Sequence, residues 1–471
     1  MNLSLPRVVL QNLTLEDRLE SEASSDSPEK LLKRMLSVRS VVSTDLSFAR
    51  RQQAAAGTKA MFREIGTASI GKVFEHPGTI FVYKLPITDQ PQKLWNNYTK
   101  HMRVYRSFKS LPYTAFQVEI PRCFWYATPS TAAFWNDYLQ RFPDLPQFPR
   151  LPRHALCMER IFPLPRAIRH ALVDKYCPPQ ARQSMKENQS NKDCLIHPCL
   201  GRIKYGAGGH FFNLRNFKLH ANEVKDLDLP VSELYVAMSH ALAVLHWHTK
   251  VDGMDVEFVF GSSPAEDQMI RAEIDPARME SLLPQTSTYE ETTHSHPDFT
   301  KQTIALWMID FDDCNDISMD SSGVDRAVKA FLDTNFYCPR PSTGEEYIET
   351  LWKSFAESYI KHSDRILDEI LHNPGLRTLP REFIRKTAAQ LAARRQESRA
   401  ATPATSSVAR PHAPGVGVAE PLARIVEVES GRAVGWTSNG RSLKQVIGGF
   451  YVNAAQSPGH TSTVRVYMWF N

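Results

Sequence analysis

The spacing of apolar residues changes near residue 160 and separates two kinds of predicted structure. Before this point, MFREIGTASIGKVFE and TIFVYKLP carry β-branched and aromatic residues on both sides of a turn, which predicts two strands. A helix follows, with Leu94, Tyr98 and Met102 at helical spacing. FQVEIPRCFWYA and HALCMERI predict two further strands. Together these elements predict a small antiparallel β-lobe over residues 58–160.

The next part of the chain is predicted to be mainly helical. PVSELYVAMSHALAVLHWHTK places Leu234, Met238 and Leu242 on one face of a long helix. Two short apolar strands, DVEFVFG and ALWMIDFDD, and two amphipathic helices complete a helical lobe over residues 161–372. The polar stretch 262–303 within this lobe contains Pro, Ser, Thr and Glu throughout and is predicted to be a surface insertion.

The segments outside the two lobes differ in composition. Residues 12–30 are polar and rich in Ser and Glu, so we expect the N-terminal segment 1–45 to be mostly disordered. Residues 373–421 predict a basic helix followed by a flexible linker. Short strand-like stretches over 422–471 predict a small β-rich appendage, or else reflect an imperfect gene model. The predicted fold class is therefore α+β, a bilobal fold with a β-rich C-terminal tail.

Composition and charge restrict the class of protein. Hydrophobic residues make up 42 % of the chain and charged residues 23 %, values typical of globular proteins. The formal net charge of +5 is too small at this length to predict nucleic-acid binding. Seven cysteines, an odd number, favour a reducing compartment, so we expect an intracellular protein of the cytoplasm or nucleus. No apolar run approaches the roughly 20 residues that span a bilayer, and we expect no membrane partner.

A glycine turn and a lysine on the next strand form the first candidate for chemistry. Gly66, Ala68 and Gly71 follow the pattern of a loop whose backbone N–H groups approach ATP phosphates, with Ala68 in place of the middle glycine. Lys84 lies on the following strand, where a protein kinase holds the α- and β-phosphates. The alternative is an ordinary β-turn beside a lysine that extends to solvent.

The helix after Lys84 lacks the glutamate that normally pairs with this lysine in a kinase. It offers Asn96, Asn97 and His101 instead. The sequence therefore predicts no anionic partner for Lys84 on this helix, which is the clearest departure from an active kinase.

Two acidic motifs supply the other candidate residues. Asp252 and Glu257 have the spacing of a kinase catalytic loop, in which an aspartate acts as base and an asparagine five positions later holds a metal ion. Asp310 ends an apolar strand and precedes Phe311, as the magnesium-binding aspartate of kinases does, and Asp312 stands in place of the usual glycine. We therefore expect Asp252 as the base and Asp310 and Glu257 as ligands of Mg²⁺. The alternative is a solvated acidic loop.

The connection between the lobes completes the predicted nucleotide site. Glu159 lies where a kinase would bind adenine, so ATP and Mg²⁺ are the expected cofactors. Cys194 and Cys199, with His197 between them, suggest zinc, but a second pair of ligands at a defined spacing is missing. The sequence therefore does not predict a zinc site.

Four segments of the chain also resemble a known family. DGMDVEFVFG at 252–261 and LWMIDFDDC at 306–314 resemble a fungal kinase-like family that is known as domain of unknown function 3669, as do MERIFPLP from Met158 and YCPRP from Tyr337. The resemblance covers about residues 60–365. It implies a kinase-like fold and no established reaction.

These observations leave two hypotheses about function. The first is an ATP- and Mg²⁺-dependent phosphotransferase with degenerate catalytic motifs, acting on a small-molecule or protein acceptor that the sequence does not identify. The second is a catalytically inactive pseudokinase that serves as a nucleotide-binding or protein-interaction module. The missing helix glutamate favours the second hypothesis, whereas Lys84, Asp252 and Asp310 favour the first.

Overall fold

The computed structural model describes residues 26–43, 46–67, 70–87, 90–112, 117–205, 212–264, 281–290, 299, 301–334, 336–341, 345–400, 446–447, 450–451 and 467–468. The chain divides into two units, Met1–Ala401 and Thr402–Asn471. All residues of the candidate site belong to the first unit.

The described residues of the first unit form ten strands, with helices before, between and after them. The strands are β1 Arg39–Ser43, β2 Arg63–Thr67, β3 Gly71–Glu75, β4 Phe81–Pro86, β5 Cys123–Ala127, β6 Ala155–Glu159, β7 Ile196–Cys199, β8 Phe217–His220, β9 Glu257–Pro264 and β10 Lys301–Ile309. The helices are α1 Pro28–Met35, α2 Leu46–Ala55, α3 Pro91–Ser110, α4 Ala132–Tyr138, α5 Arg166–Tyr176, α6 Arg182–Glu187, α7 Ala221–Asp226, α8 Val231–Ala243, α9 Ser321–Asp333, α10 Glu346–Arg365 and α11 Thr378–Ala400.

The first sheet has the strand order β2-β3-β4-β6-β5 and is antiparallel throughout. Every residue of β4 and β5 is buried, because an aromatic cluster that includes Phe74, Tyr83 and Trp125 covers one face. Leu94, Tyr98 and other apolar residues of α3 pack against Tyr126 and Leu156 of this sheet. Burying such aromatic side chains is a large source of stability.

The second sheet has the order β1-β10-β9-β7-β8, with β7 and β8 parallel and the other pairs antiparallel. Helix α8 continues as a π-helical turn to Thr249 and packs against α10. The hydroxyl of Tyr359 lies 2.8 Å from Nδ1 of His246, and Trp247 donates to Ser363 at 2.9 Å. These bonds fix the end of α8, which leads into the loop that contains Asp252.

The predicted fold class is confirmed as a mixed α+β fold. Among the described residues, no helix combines the length and the apolar character that are needed to cross a bilayer. The basic helix predicted beyond residue 372 is α11, and it packs on α9: Phe383 is fully buried, and Arg394 and Lys386 pair with Asp333 and Asp325 at 2.9 and 2.6 Å.

The prediction of disorder was wrong for residues 28–43. Ser27 caps α1, whose residues Leu31, Leu32 and Met35 are buried in the core of the first unit. Strand β1 then pairs along its whole length with the first half of β10, from Arg39 opposite Ala305 to Ser43 opposite Lys301. The burial of three apolar side chains and the pairing with β10 offset the conformational entropy that the segment loses on ordering. The polar composition alone indicated that this entropy would not be offset.

The segment predicted as a surface insertion, 262–303, is partly buried. Strands β9 and β10 extend into it at both ends. Thr288 is only 4 % exposed, and its hydroxyl accepts from the backbone N–H of Tyr126 at 2.9 Å and lies 2.8 Å from the hydroxyl of Tyr98. The described part of the insertion therefore packs on β5 and α3 of the first sheet.

The described residues of the second unit form three short antiparallel strands, β11 Val446–Ile447, β12 Phe450–Tyr451 and β13 Tyr467–Met468. The other strands predicted over 422–471, and the linker over 401–421, lie outside the described residues.

Candidate functional site

Lys84 forms a buried ion pair with two aspartates that follow β10. Its Nζ lies 2.9 Å from Oδ1 of Asp310 and 3.3 Å from Oδ2 of Asp312, and Lys84 is only 3 % exposed. Burial alone would lower the pKa of Lys84, but the charges of Asp310 and Asp312 outweigh it and raise the pKa above its ordinary value. The lysine is therefore charged and neutralised within the protein.

Helix α3 has no acidic residue that could pair with Lys84. The anion comes from the acidic motif instead of the helix. Asp312, which stands where a kinase has glycine, extends its carboxylate back to the lysine. The side chain of Asp312 is fully buried and that of Asp310 is 19 % exposed. A carboxylate so completely removed from water needs a close cation.

Helix α3 also binds the acidic loop 310–316, through its polar face. Asn96 donates from Nδ2 to the backbone oxygens of Asp312 and Cys314, at 2.7 and 3.0 Å. Three cations one or two turns apart on the helix form ion pairs with the loop: Lys93 with Asp313 at 2.9 Å, and Lys100 and Arg103 with Asp316 at 2.6 Å each. These residues are three or four positions apart and therefore share one face of α3, and this whole face binds the acidic loop.

Three aspartates of the two acidic motifs form a group that could hold a cation. Asp255, Asp312 and Asp313 each bring one carboxylate oxygen within 4.8 Å of the others, and we call them the acidic cluster. Oδ1 of Asp312 is buried and has no hydrogen-bond partner among the described residues. Three oxygens at this separation are the kind of ligand set that a hard divalent cation takes.

Carboxylates in and beside the acidic cluster repel one another. Burial, and then the charge of Asp310, raise the pKa of Asp255 to about 6, of Asp312 to about 6 and of Glu257 to about 7. The side chain of Glu257 is 34 % exposed, lies 3.8 Å from Nδ1 of His197 and accepts a hydrogen bond from Tyr337. The two predicted metal ligands, Asp310 and Glu257, thus border the acidic cluster and are not members of it.

Backbone strain is concentrated in the same region. Lys250, Asp255 and Asp310 have φ values of 60°, 59° and 64°. Residues with a side chain seldom adopt this left-handed conformation, and such strain persists where surrounding structure enforces it, frequently at functional sites. The strain supports the assignment of the acidic loops as the candidate site.

Asp252, the predicted base, is enclosed by its own neighbours. Its Oδ1 accepts from the backbone N–H groups of Met254 at 3.0 Å and Asn315 at 2.9 Å, and its Oδ2 accepts from Nδ2 of Asn315 at 3.1 Å. Asp252 is 4 % exposed. Its backbone N–H also donates to the carbonyl of Asn315 at 3.0 Å, so this residue clips the two acidic loops together.

Glu159, predicted to lie beside adenine, is bound to Arg122. Arg122 donates to it from Nε at 2.9 Å, from Nη2 at 3.1 Å and from its backbone N–H at 3.0 Å. The backbone N–H groups of the connection are also largely used: those at 159, 160, 162 and 164 donate to protein carbonyls, and residues 163 and 165 are proline. The connection therefore has few donors for a purine.

The two described glycines of the predicted phosphate loop have different surroundings. A Cβ at Gly71 would lie 2.6 Å from the carbonyl oxygen of Leu85, so the close approach of β3 and β4 requires glycine there. A Cβ at Gly66 would make only an ordinary contact with Val73, at 3.7 Å. Ala68 lies outside the described residues.

The sequence predicts that Lys84 and Asp310 belong to one site. It did not lead us to predict the parts of Asp255, Asp313 and the cations of α3. A signal was present, because Asp310, Asp312 and Asp313 fall within four positions and α3 has five basic residues and no acid. A helix of one charge opposite a loop of the other is a simple electrostatic pairing.

Comparison with known proteins gives one match. No curated protein matches the chain, and no solved structure matches it. Residues 306–370, from β10 through α10 to the π-helical turn that follows it, match the family model of domain of unknown function 3669, which is described as a zinc finger protein. The match includes Asp310, Asp312 and Asp313, and it supports the presence of this domain of unknown function in the chain.

Proposed function

We propose that the chain is a pseudokinase, a kinase-like module that retains a charged cleft and does not transfer a phosphoryl group. The order of its parts supports the kinase-like assignment: a glycine-containing strand pair, Lys84 on the next strand, a helix, a connection and two acidic motifs. A kinase uses these parts in the same order to hold a nucleotide and Mg²⁺. The ion pair between Lys84 and Asp310 joins the strand after the glycine turn to the second acidic motif.

The single observation that carries the proposal is the enclosure of Asp252. A catalytic base must come within hydrogen-bonding distance of the proton that it accepts. Both oxygens of Asp252 are occupied by donors from Asn315 and Met254, and the residue is almost fully buried. A substrate hydroxyl would have to displace these donors and separate the two acidic loops.

The residues do not fit ATP in the manner of an active kinase. Lys84 is neutralised by two aspartates, Glu159 is held by Arg122, and most N–H groups of the connection are already bonded. A phosphate group would have to compete with two carboxylates for one buried ammonium group. We therefore derive no transfer step through ATP.

The acidic cluster does fit a divalent cation of the Mg²⁺ type. Asp255, Asp312 and Asp313 would hold it, and the buried Oδ1 of Asp312 has no other partner among the described residues. The ion would neutralise carboxylates whose repulsion raises their pKa values. We propose this role for the cluster in preference to the expected pair of Asp310 and Glu257.

One observation favours the other hypothesis, an active phosphotransferase. Burial and the charge of Asp310 raise the pKa of Glu257 to about 7, and its side chain is one-third exposed. A carboxylate with a pKa near the working pH is a suitable general base. In this alternative, Glu257 takes the role that the sequence assigned to Asp252.

Consumption of ATP separates the two hypotheses. Purified full-length protein is incubated with ATP and Mg²⁺ over a panel of hydroxyl acceptors, together with Asp310→Asn, Glu257→Gln and the exposed control Lys353→Met. A pseudokinase releases ADP no faster than Asp310→Asn does. ADP release that both cleft variants abolish and the control retains would refute the proposal and establish the phosphotransferase.

A further inference from the structure

Two cations, Arg202 just after β7 and Lys218 on β8, lie over one aromatic ring. The guanidinium carbon of Arg202 is 4.1 Å from the centre of the Phe336 ring, and Nζ of Lys218 is 5.0 Å from it. Phe336 is held in place because the backbone N–H of Gly201 donates to its carbonyl at 3.0 Å and that of Leu200 donates to Tyr337 at 2.8 Å. The backbone of Phe336 is thus held to the segment that follows β7.

The position of each cation is set by the sheet. Lys218 on β8 is the register partner of His197 on β7, and the two strands are parallel. Arg202 follows the end of β7, where its backbone N–H donates to Cys199 at 3.3 Å. His197 in turn lies 3.8 Å from Glu257.

Within the part of the chain that the structure describes, the positive charge at this place has no close ion-pair partner, and the more distant charge of Glu257 attracts Lys218. Among the described residues, no carboxylate lies within 4.0 Å of the charged nitrogens of Arg202 or Lys218. Burial lowers the pKa of Lys218, and the charge of Arg202 lowers it further. Burial and the same charge of Arg202 lower the pKa of Arg340 to about 10. Arg202 therefore repels both Lys218 and Arg340.

We infer that Arg202 and Lys218 form a binding site for the phosphate group of a small molecule. A dianion would neutralise both cations, whereas a monoanion would leave one of them unpaired. A guanidinium and an ammonium group also give a phosphate several charge-assisted hydrogen bonds, and the aromatic ring fixes the direction of the guanidinium fork. Arg202 is exposed and Lys218 half-buried, so the ligand can enter from solvent. The site is separate from the acidic cluster and does not depend on the proposed function.

Titration with inorganic phosphate, followed by calorimetry and by the melting temperature, tests this site. The buffer contains a chelator at pH 8, so that phosphate is dianionic and no metal ion in the acidic cluster contributes. Sodium chloride at equal ionic strength is the reference, because general screening acts on both salts alike. We expect phosphate to bind the full-length protein and sodium chloride not to.

Matched variants identify the residues responsible. Arg202→Gln and Lys218→Met should each weaken phosphate binding at least tenfold, whereas Lys218→Arg keeps the charge and should retain it. Lys353→Met, an exposed cation on α10, should bind as the wild type does. Circular dichroism confirms that each variant is folded. Binding that is unchanged in both Arg202→Gln and Lys218→Met, or equally weakened in Lys353→Met, would overturn the proposal.

Competition with metal-free ATP identifies the source of the phosphate group. If ATP displaces inorganic phosphate in wild-type protein, the site recognises a nucleotide phosphate. If it does not, the site selects a smaller phosphorylated compound. Either result supports the site when binding depends on Arg202. Absence of phosphate binding in wild-type protein refutes the site, whatever the outcome of the test for ATP consumption.

Discussion

Replacement of Lys84 by methionine should destabilise the protein strongly, and more at high pH than at low pH. The substitution removes the cation 2.9 Å from Asp310 and 3.3 Å from Asp312 while filling a similar volume. Removing one partner of a buried ion pair typically costs about 3–5 kcal/mol, because the other charge stays buried without compensation. Since the side chain of Asp312 is fully buried, we expect a loss of about 3–5 kcal/mol in the free energy of unfolding at pH 8.

The pH dependence of this loss follows from the carboxylates. Burial and the charge of Asp310 already raise the pKa of Asp312 to about 6, and without Lys84 this pKa rises further. A carboxyl group whose folded-state pKa is raised is destabilising above that pKa and is relieved by protonation below it. At pH 5 we therefore expect the loss to fall to about 1–2 kcal/mol, the cost of an unsatisfied neutral group.

Urea unfolding followed by tryptophan fluorescence measures both values, always as differences from wild type at the same pH. Lys353→Met, an exposed lysine on α10, should change the free energy by less than about 0.5 kcal/mol at either pH. Lys84→Met combined with Asp312→Asn should recover a large part of the loss at pH 8. A loss below about 1 kcal/mol at pH 8, or one of equal size at pH 5, would refute the assignment of a buried charged triad.

The acidic cluster and the glycine turn give three further predictions. Millimolar Mg²⁺ or Mn²⁺ should raise the melting temperature of the wild type and of the exposed control Asp137→Asn, but not that of Asp255→Asn. A rise that Asp255→Asn retains would place the ion elsewhere. Without metal, the gain in the free energy of unfolding of Asp255→Asn over wild type should grow as the pH rises through the Asp255 pKa of about 6. The reason is that a carboxyl group with a raised pKa favours the folded state only at low pH. A gain that shrinks over this pH range in urea unfolding would contradict the raised pKa. Comparison with wild type at each pH cancels the contribution of the buried histidines, whose lowered pKa values act in the opposite direction. Gly71→Ala should cost about 1–3 kcal/mol because its Cβ would meet Leu85, whereas Gly66→Ala should cost less than about 1 kcal/mol, and equal losses in thermal unfolding would refute the packing argument.

The sequence predicted the order of the elements better than it predicted which side chains meet. Strand periodicity places Lys84 in a buried strand and Asp310 at the end of another, and the two are 226 positions apart. Their pairing could be inferred only by analogy with a kinase. The role of Asp312 could not, because periodicity shows which face a residue occupies and not whether a turn directs its side chain back to a distant lysine.

Local signals could have corrected the prediction for the N-terminal segment. Ser27 followed by Pro28 is a helix-start pattern, and Leu31, Leu32 and Met35 then fall on one face. Average composition over residues 12–30 masked this pattern. The burial of Thr288 in the insertion could not be predicted in the same way, since its partners Tyr98 and Tyr126 are far away in the chain.

The arrangement of charge in the site differs from that of a kinase in a way that restricts how it can change. In a kinase, the lysine pairs with a glutamate on the helix, so movement of the helix makes or breaks that pair. Here both Lys84 and helix α3 present positive charge, and the acidic loop 310–316 lies between them. Asn96 of α3 also binds the backbone of Asp312 and Cys314, so the helix holds the same loop whose aspartates pair with Lys84. Neutralising the aspartates of the loop would therefore weaken the ion pair of Lys84 and those of α3 together.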